Sequence, residues 1–244
     1  LQYNYKFSRF NIKAAAVFQN QYRSSGPLGS KMLEYSRDAV LPEMFAGIDY
    51  RKEGFIVGVG ADVLTLTPRT QSTKGELTYK VSERNVSASL LAFASYSSEW
   101  WKLNAKTIYG QNNVHTLSLG GYGVTSIDPV TGAYDYVNFN HSTSWVNVVY
   151  GKKWQVGLFG GFTKNLGTNK PLVSSSMTYG MGMDIDKLYN MSVQTDYNIK
   201  NFTIGVEYSY SVADYGTIQT ATGKVTNTHA ADNHRIAALC NYSF

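Results

Sequence analysis

Few residue types that perform catalysis occur at a spacing that would let them act together. His141 precedes Ser142, and a histidine next to a serine is the pair that a hydrolase uses to activate a nucleophile. Neighbouring residues of a β-strand point to opposite faces, so these two side chains cannot pair directly within a strand. Asp232 and His234 would share a face, but a strand end beside a loop more often carries solvated groups. The sequence therefore predicts no catalytic residue and no enzyme activity.

Metal or cofactor binding has equally little support. Asp128, Asp184 and Asp186 have the carboxylates that Ca²⁺ prefers, but they lack the closely spaced ligand run of a calcium loop. Cys240 is the only cysteine, which excludes an internal disulfide and a cysteine-rich zinc site. No glycine motif that cradles phosphate is present. We expect no metal and no cofactor.

A strict alternation of apolar and polar residues is the dominant pattern of the chain. In 201–213, Phe202, Ile204 and Val206 alternate with Thr203 and Gly205, and the pattern continues for about twelve residues. This exceeds the five or six residues of a typical globular strand. It predicts long strands with one apolar and one polar face.

The same alternation recurs along the chain and predicts eleven antiparallel strands. They are 1–7, 10–22, 43–52, 55–66, 85–97, 101–112, 140–150, 153–164, 187–198, 201–213 and 232–244. Turns of two or three residues alternate with long connections at 23–42, 67–84, 113–139, 165–186 and 214–231. Short turns at one rim and long loops at the other are typical of outer-membrane β-barrels.

Aromatic side chains cluster around the short turns. Trp100 and Trp101 flank one turn, and Tyr150 and Trp154 flank another. Such rings prefer the headgroup level of a membrane, where the apolar ring and its polar group are both satisfied. The positions in the middle of the strands, such as Val57, are small or aliphatic. The aromatic positions thus predict one girdle of a membrane barrel.

Charged residues fall on the polar face of these strands and are the candidates for lining a pore. They are Lys6, Lys13, Asp49, Arg51, Asp62, Lys102, Lys106, Asp196, Glu207 and Arg235. Ten ions in a dry core would be costly, whereas a water-filled lumen solvates them. A soluble sheet with one solvated face would show the same alternation, but it would explain neither the loop asymmetry nor the aromatic girdle.

Composition and charge narrow the class further. Only 16% of the 244 residues are charged and 14% are aromatic, while the net charge of +5 is spread without a basic run. This distribution gives no support to nucleic-acid binding. No run of 18 apolar residues is present, which excludes a membrane-spanning helix. The first fifteen residues lack the features of a signal peptide, so we expect a mature or truncated chain.

The last strand ends on Tyr242, Ser243 and Phe244, with apolar residues at every second position before them. This ending resembles the C-terminal strand of Gram-negative outer-membrane β-barrels, whose terminal aromatic residue is read by the barrel assembly machinery. The stretches 46–70, 145–167 and 227–236 resemble the C-terminal part of large barrels from Bacteroidetes, similar to trimeric porins of the DcaP-like kind.

The resemblance implies one outer-membrane β-barrel domain over residues 1–244, an integral outer-membrane location and a parent barrel of about sixteen strands. It also implies contact with lipid and lipopolysaccharide, Tyr242 and Phe244 as an assembly signal, and a homotrimer. Eleven strands place residue 1 at the rim opposite Phe244, so about five strands would precede it. A complete barrel of twelve strands is the alternative.

Two functions fit these expectations. The first is a passive diffusion channel for small hydrophilic solutes, with a mild preference for anions because six of the ten pore candidates are basic. The second is a structural or binding barrel, plugged by its loops or docked in an envelope complex. The longest connection contains Asp128-Pro129-Val130-Thr131-Gly132, which predicts a turn. That connection extends the barrel wall as a hairpin; the alternative is that it, or the Met/Gly-rich segment 177–186, folds inward to narrow the pore.

Overall fold

The computed structural model describes residues 1–18, 24–30 and 32–242, and antiparallel β-sheet dominates it. The first ten strands are β1 (Gln2–Phe7), β2 (Phe10–Val17), β3 (Ser25–Gly26), β4 (Gly29–Ser30), β5 (Glu43–Lys52), β6 (Phe55–Leu66), β7 (Gln71–Lys74), β8 (Leu77–Lys80), β9 (Asn85–Ser97) and β10 (Trp101–Gln111). The others are β11 (Gly120–Ile127), β12 (Tyr134–Gly151), β13 (Trp154–Thr168), β14 (Thr178–Met181), β15 (Ile185–Ile199), β16 (Phe202–Ile218) and β17 (Val225–Tyr242). Helical structure in the described part is limited to α1 (Glu34–Arg37) and a 3₁₀ helix (Asn113–Thr116), and no helix there is long and apolar enough to cross a membrane.

Eleven long strands form one continuous antiparallel sheet in the order β1-β2-β5-β6-β9-β10-β12-β13-β15-β16-β17. This confirms the eleven predicted strands and their sequential pairing. β11 pairs with β12 and β14, which brings the sheet to thirteen strands. Among the described residues, β1 pairs only with β2 and β17 only with β16, so the sheet is not closed. Its architecture fits part of a barrel.

The two rims of the sheet differ as predicted. Two- and three-residue turns follow β1, β5, β9, β12 and β15, and several of them use a left-handed backbone, as at Ser8 (φ 53°) and Lys200 (φ 51°). The long connections lie at the other rim. The Leu1 amino group donates a hydrogen bond to the Ala16 carbonyl oxygen at 2.9 Å, whereas Tyr242 pairs with Phe202 beside a short turn. Leu1 and Tyr242 therefore lie at opposite rims.

Aromatic rings pack side by side along the short-turn rim. Ring centroids are 4.4 Å apart in Trp154–Tyr197, 4.6 Å apart in Trp101–Tyr150 and 5.3 Å apart in Phe10–Tyr50. Each contact joins neighbouring strands, so the rings form a band across the sheet. Aromatic pairs at this separation stabilise strand pairing beyond the area they bury.

Five strands extend further than predicted at the long-loop rim, and three of them do so by five residues or more. β12 begins at Tyr134 rather than at 140, β16 ends at Ile218 rather than at 213, and β17 begins at Val225 rather than at 232. The predicted loop 214–231 is therefore wrong, since only residues 219–224 connect the two strands. In β17 the added residues 227–231 are exposed on both faces, so the apolar-polar alternation disappears and the sequence carries no strand signal. In β12 the added residues Val137 and Phe139 are instead buried under the long connections, against Leu172 and Met183.

Other predicted loops contain structure of their own. The connection 67–84 holds the hairpin β7–β8, and 23–42 holds the small hairpin β3–β4 followed by α1. The predicted strand 10–22 is described only as far as Val17, because 19–23 lie outside the described residues. These hairpins are short and mostly polar, so apolar-polar alternation does not predict them.

A buried hydrophobic cluster lies at the long-loop rim, formed by Tyr35, Leu64, Leu66 and Tyr122. Leu64 and Leu66 project from the same face of β6 as Asp62, that is, the face with polar residues. Tyr122 donates its hydroxyl hydrogen to the Ser25 carbonyl at 2.7 Å. The long connections thus pack onto the polar face of the sheet and not onto its apolar face.

The apolar face predicts contact with lipid, and β15 offers a matched test of it. Val193 lies on the apolar face and Ser192, its neighbour, on the polar face. We expect Val193→Arg to lower the free energy of unfolding in lipid vesicles by about 2–4 kcal/mol, the cost of a charge near the bilayer midplane. Urea titration followed by tryptophan fluorescence measures it.

The control is Ser192→Arg, which adds the same side chain where water is available and should change this free energy much less. Equal losses from the two variants would contradict a lipid-facing apolar surface.

Candidate functional site

All ten residues predicted to line a pore project from one face of the sheet, which we call the polar face. Directly paired residues share a face, and pairing connects them strand by strand, as in Lys6 to Asn11 to Asp49. The members are Lys6, Lys13, Asp49, Arg51, Asp62, Lys102, Lys106, Asp196, Glu207 and Arg235. The alternation in the sequence therefore placed them on a common surface.

Asp49 is the centre of a charge cluster on β2 and β5. Its side chain is only 3% exposed, and its carboxylate accepts from Arg51 Nε at 2.5 Å and from Asn11 Nδ2 at 2.9 Å. Lys13 Nζ lies 3.6 Å from the same carboxylate. Lys13 and Arg51 keep 40% and 47% of their side chains exposed. One buried anion thus orders two cations whose ends still face solvent.

A second group of candidates surrounds a polar groove over β12, β13, β15, β16 and β17. The groove has a volume of about 370 Å³, and Glu207 and Arg235 both line it. Ser209 donates to Glu207 Oε1 at 2.9 Å, and Gln194 donates to Asp196 Oδ2 at 2.5 Å. Hydroxyl and amide groups thus hold Glu207 in the groove and Asp196 beside it.

The segment 112–119 leaves the sheet after β10 and folds back across the polar face. Asn112 takes a left-handed conformation (φ 50°), which asparagine tolerates better than most residues, and so reverses the chain. Asn113 then accepts a 2.8 Å hydrogen bond from Ser89 of β9. Gly110 leaves room for this contact, because a Cβ there would lie 2.2 Å from Asn113 Nδ2 and the Asn113 side chain would have to move. We call this segment the inward loop.

The inward loop places His115 against two carboxylates of the sheet. His115 Nε2 lies 3.2 Å from Glu43 Oε1 of β5 and 3.8 Å from Asp62 Oδ2 of β6. The histidine side chain is 6% exposed, and the two carboxylate side chains are 21% and 14% exposed. Lys106 of β10 is close enough to Asp62 to interact with it electrostatically.

Two opposing effects set the pKa of His115. Burial disfavours the charged imidazolium, but the adjacent carboxylate of Glu43, with Asp62 and the Asn112 carbonyl, favours it. The carboxylates prevail, and the pKa of His115 is raised above its usual value. The ring is thus held in a strongly negative environment.

Asp62 is one of the ten pore candidates predicted from the sequence, whereas Glu43 and His115 are not among them. The three residues are far apart in the chain and lie on two strands and a loop. The only local signal was a glutamate on the polar face at the first position of β5. His115 could not be placed because the path of a long loop has no periodic signature.

The candidates for catalysis do not form a catalytic pair. His141 pairs across strands with Gly110 on the polar face, whereas Ser142 pairs with Tyr109 on the apolar face. His234 Nε2 does lie 3.2 Å from Asp232 Oδ2, but both side chains are more than half exposed. This arrangement is a solvated contact between two exposed side chains.

The three loop aspartates considered for calcium do not form a common metal-ligand cluster in the described part of the chain. Two of them, Asp128 and Asp186, contact other groups of the protein. Asp128 Oδ1 accepts backbone hydrogen bonds from Val130 and Thr131, which confirms the predicted turn and lowers the pKa of Asp128. Asp186 forms an ion pair with Lys164 at 2.6 Å. Within the described residues, the only metal-ligand cluster of three or more groups is Glu43, Asp62 and His115.

The longest connection combines both predicted arrangements. β12 extends the wall and forms a hairpin with β11 around the turn at Asp128. β11 in turn packs inward, where Tyr122 and Val124 are fully buried, and pairs with β14 at 178–181. Together with the inward loop, these segments cover part of the polar face at the long-loop rim.

The predicted assembly signal is described only in part. Tyr242 is exposed at the end of β17 and pairs with Phe202 at the aromatic rim. Phe244 lies outside the described residues. Tyr242 thus ends the described part of β17 beside the aromatic residues of the short-turn rim, and its role as an assembly signal stays a prediction.

Comparison with solved structures identifies the architecture. The chain superposes on the outer membrane channel DcaP of Acinetobacter baumannii with a TM-score of 0.67 and 15% sequence identity, over 100% of this chain and 61% of that one. The fold is that of part of a Gram-negative outer-membrane β-barrel.

Two further outer-membrane barrels agree. OmpT, an outer membrane protein of Vibrio cholerae, gives a TM-score of 0.55 at 12% identity over 99% of this chain and 62% of that one. The anion-selective porin from Comamonas acidovorans gives 0.53 at 11% identity over 100% of this chain and 58% of that one. The chain thus spans about three fifths of these structures. No family model and no curated protein sequence matches it.

The cluster at Asp49 yields a prediction about stability. Asp49→Ala removes the common acceptor of Asn11 and Arg51 and leaves two cations facing each other. We expect the free energy of unfolding to fall by about 1–3 kcal/mol, the range for buried hydrogen bonds to a charged group. Equilibrium urea unfolding in detergent or lipid measures it.

Glu99→Ala is the matched control, because it breaks the exposed ion pair with Lys152 at the short-turn rim. Exposed pairs contribute at most about 1 kcal/mol. If Asp49→Ala cost no more than Glu99→Ala, the cluster would have no special role in the sheet.

Proposed function

We propose that the chain forms part of an outer-membrane porin, a passive diffusion channel for small hydrophilic and preferentially anionic solutes. The observation that carries the proposal is the polar face, on which charged and amide side chains continue from β1 to β17 opposite an apolar surface. Closed into a barrel in a membrane, such a sheet would enclose water and turn its apolar face to lipid. The same proposal includes an integral location in the outer membrane and contact with lipopolysaccharide. It also includes recognition by the barrel assembly machinery and the formation of a homotrimer.

Two of the similar solved structures support a diffusion channel as the class of function. One solved structure is an outer membrane channel and another is an anion-selective porin. The ten polar-face candidates contribute six basic and four acidic side chains. Transport then requires no catalytic residue, since selectivity in a channel arises from its width and from the field of its lining charges.

The charges on the polar face predict the selectivity. Reversal potentials across planar bilayers in a salt gradient should show anion preference for the full-length protein. Arg235→Glu should shift the reversal potential toward cations, because Arg235 lies in the polar groove. A clear cation preference of the unmodified protein would contradict the proposal for anions.

Lys52→Glu is the charge-matched control for this experiment. Lys52 pairs with Phe55 at the short-turn rim and projects from the apolar face, opposite to Arg51. The substitution changes net charge equally, so an equal shift from both variants would show that selectivity reflects overall charge and not the polar face.

The inward segments favour one competing function, a barrel plugged by its loops that serves as a structural or binding protein. The hydrophobic cluster around Tyr122 and the inward loop both occupy the polar face at the long-loop rim. A constricted channel and a plugged barrel share this geometry but differ in conductance. Single-channel recording decides between them, since no conductance above leak would favour the plugged barrel.

A loop replacement tests how far the inward loop narrows the pore. Replacing 113–118 with a short Gly-Ser linker should increase single-channel conductance, because it removes side chains that lie over β9, β6 and β5. The control replaces the turn at 75–76 between β7 and β8 with the same linker. Unchanged conductance after the first replacement would show that the inward loop does not constrict the pore.

A further inference from the structure

We propose that Glu43, Asp62 and His115 form a binding site for one divalent transition-metal ion of the zinc type, which fastens the inward loop to the wall. The ligands come from β5, β6 and the 3₁₀ helix. One imidazole nitrogen and two carboxylate oxygens are ligand types that Zn²⁺ accepts.

The geometry of the three donor atoms suits such an ion. They lie within 4.8 Å of one another, and Nε2 is 3.2 Å and 3.8 Å from the two carboxylate oxygens. Zinc–ligand distances of about 2.0–2.2 Å in a tetrahedron place ligand atoms about 3.3–3.6 Å apart. Small side-chain rotations would therefore bring all three onto one ion, and a water molecule would complete the coordination.

The orientation of the imidazole is the second observation. His115 Nδ1 lies 3.3 Å from the Asn112 carbonyl oxygen, a contact that favours the tautomer with its hydrogen on Nδ1. In that tautomer the lone pair of Nε2 faces two carboxylate oxygens. Metal-binding histidines are commonly oriented by such a contact from the other ring nitrogen to a backbone carbonyl.

His115 Nε2 also lacks a hydrogen bond. It is buried, and its approach to Glu43 Oε1 does not have hydrogen-bond geometry, so no described group satisfies it. The two anionic oxygens in this buried site require a positive charge beside them, which is either the proton of an imidazolium or a metal ion. Of these two, only a metal ion would bind Nε2 and both carboxylate oxygens at once.

The experiment measures Zn²⁺ binding directly. Full-length protein is folded in detergent, treated with a chelator and titrated with Zn²⁺ in a calorimeter. We expect one saturable site per chain. Glu43→Gln, Asp62→Asn and His115→Gln should each weaken it at least tenfold, since changes even beyond the direct ligands cost about 10–100-fold.

The exposed pair Asp232 and His234 provides the matched control. Its nitrogen–oxygen distance is also 3.2 Å, but it lacks a third ligand and is solvated. Asp232→Asn and His234→Gln should leave the affinity unchanged. In the Cu²⁺-loaded protein, the hyperfine splitting from one imidazole nitrogen should disappear in His115→Gln and persist in His234→Gln.

Two results would overturn the site: binding weaker than about 100 μM in the unmodified protein, or binding that responds to the control substitutions and not to the three ligand substitutions. The shift in gel mobility on heating identifies variants that are folded. Should Asp62→Asn fail to fold, Glu43→Gln at the more exposed carboxylate tests the site. Metal binding needs no channel activity, so failure here leaves the diffusion-channel proposal untouched.

Discussion

Backbone hydrogen bonding in a medium without water is the constraint on which the rest of this structure depends. A strand inside a bilayer must pair every N–H and C=O group with a neighbouring strand, because an unpaired group costs several kcal/mol there. Nine of the eleven long strands, from β2 to β16, meet that requirement by antiparallel pairing on both sides, whereas β1 and β17 pair on one side among the described residues. Long straight strands follow, and with them two faces of opposite character. One face must suit lipid, and the other is left for polar groups.

Strand bounds can be predicted from the sequence where this constraint also determines which side chains are apolar. From Phe55 to Val63 the apolar residues fall on alternate positions, and the strand is found at its predicted bounds. Where the long connections pack onto a strand, both of its faces can carry apolar residues and the alternation disappears. This explains why Tyr134–Phe139 was assigned to a loop although it continues β12, since Val137 and Phe139 are buried on one face and Tyr136 packs against a second cluster on the other. The backbone still pairs there, but the pattern no longer records it.

The polar groups that matter most to the candidate site were only partly predictable. Alternation placed Asp62 on the polar face, and it could have placed Glu43 there too. His115 has no such signal, because its position follows from the left-handed turn at Asn112 and from the space above Gly110. Both features belong to the tertiary structure of one loop. Periodicity thus identifies which residues belong to a surface, whereas loop paths decide which of them meet.

The inward loop joins these two levels of organisation. A loop that crosses a polar surface cannot be held by hydrophobic burial alone, so it needs directed contacts such as Ser89 to Asn113 and His115 to its two carboxylates. Those carboxylates are fixed by strand pairing, and their charge makes a nearby cation favourable. In the proposed channel, the same groups would also form part of the field that a passing ion meets. Fastening of the loop, pore width and selectivity would then be physically coupled in that channel, because all three depend on how the negative charge of Glu43 and Asp62 is balanced.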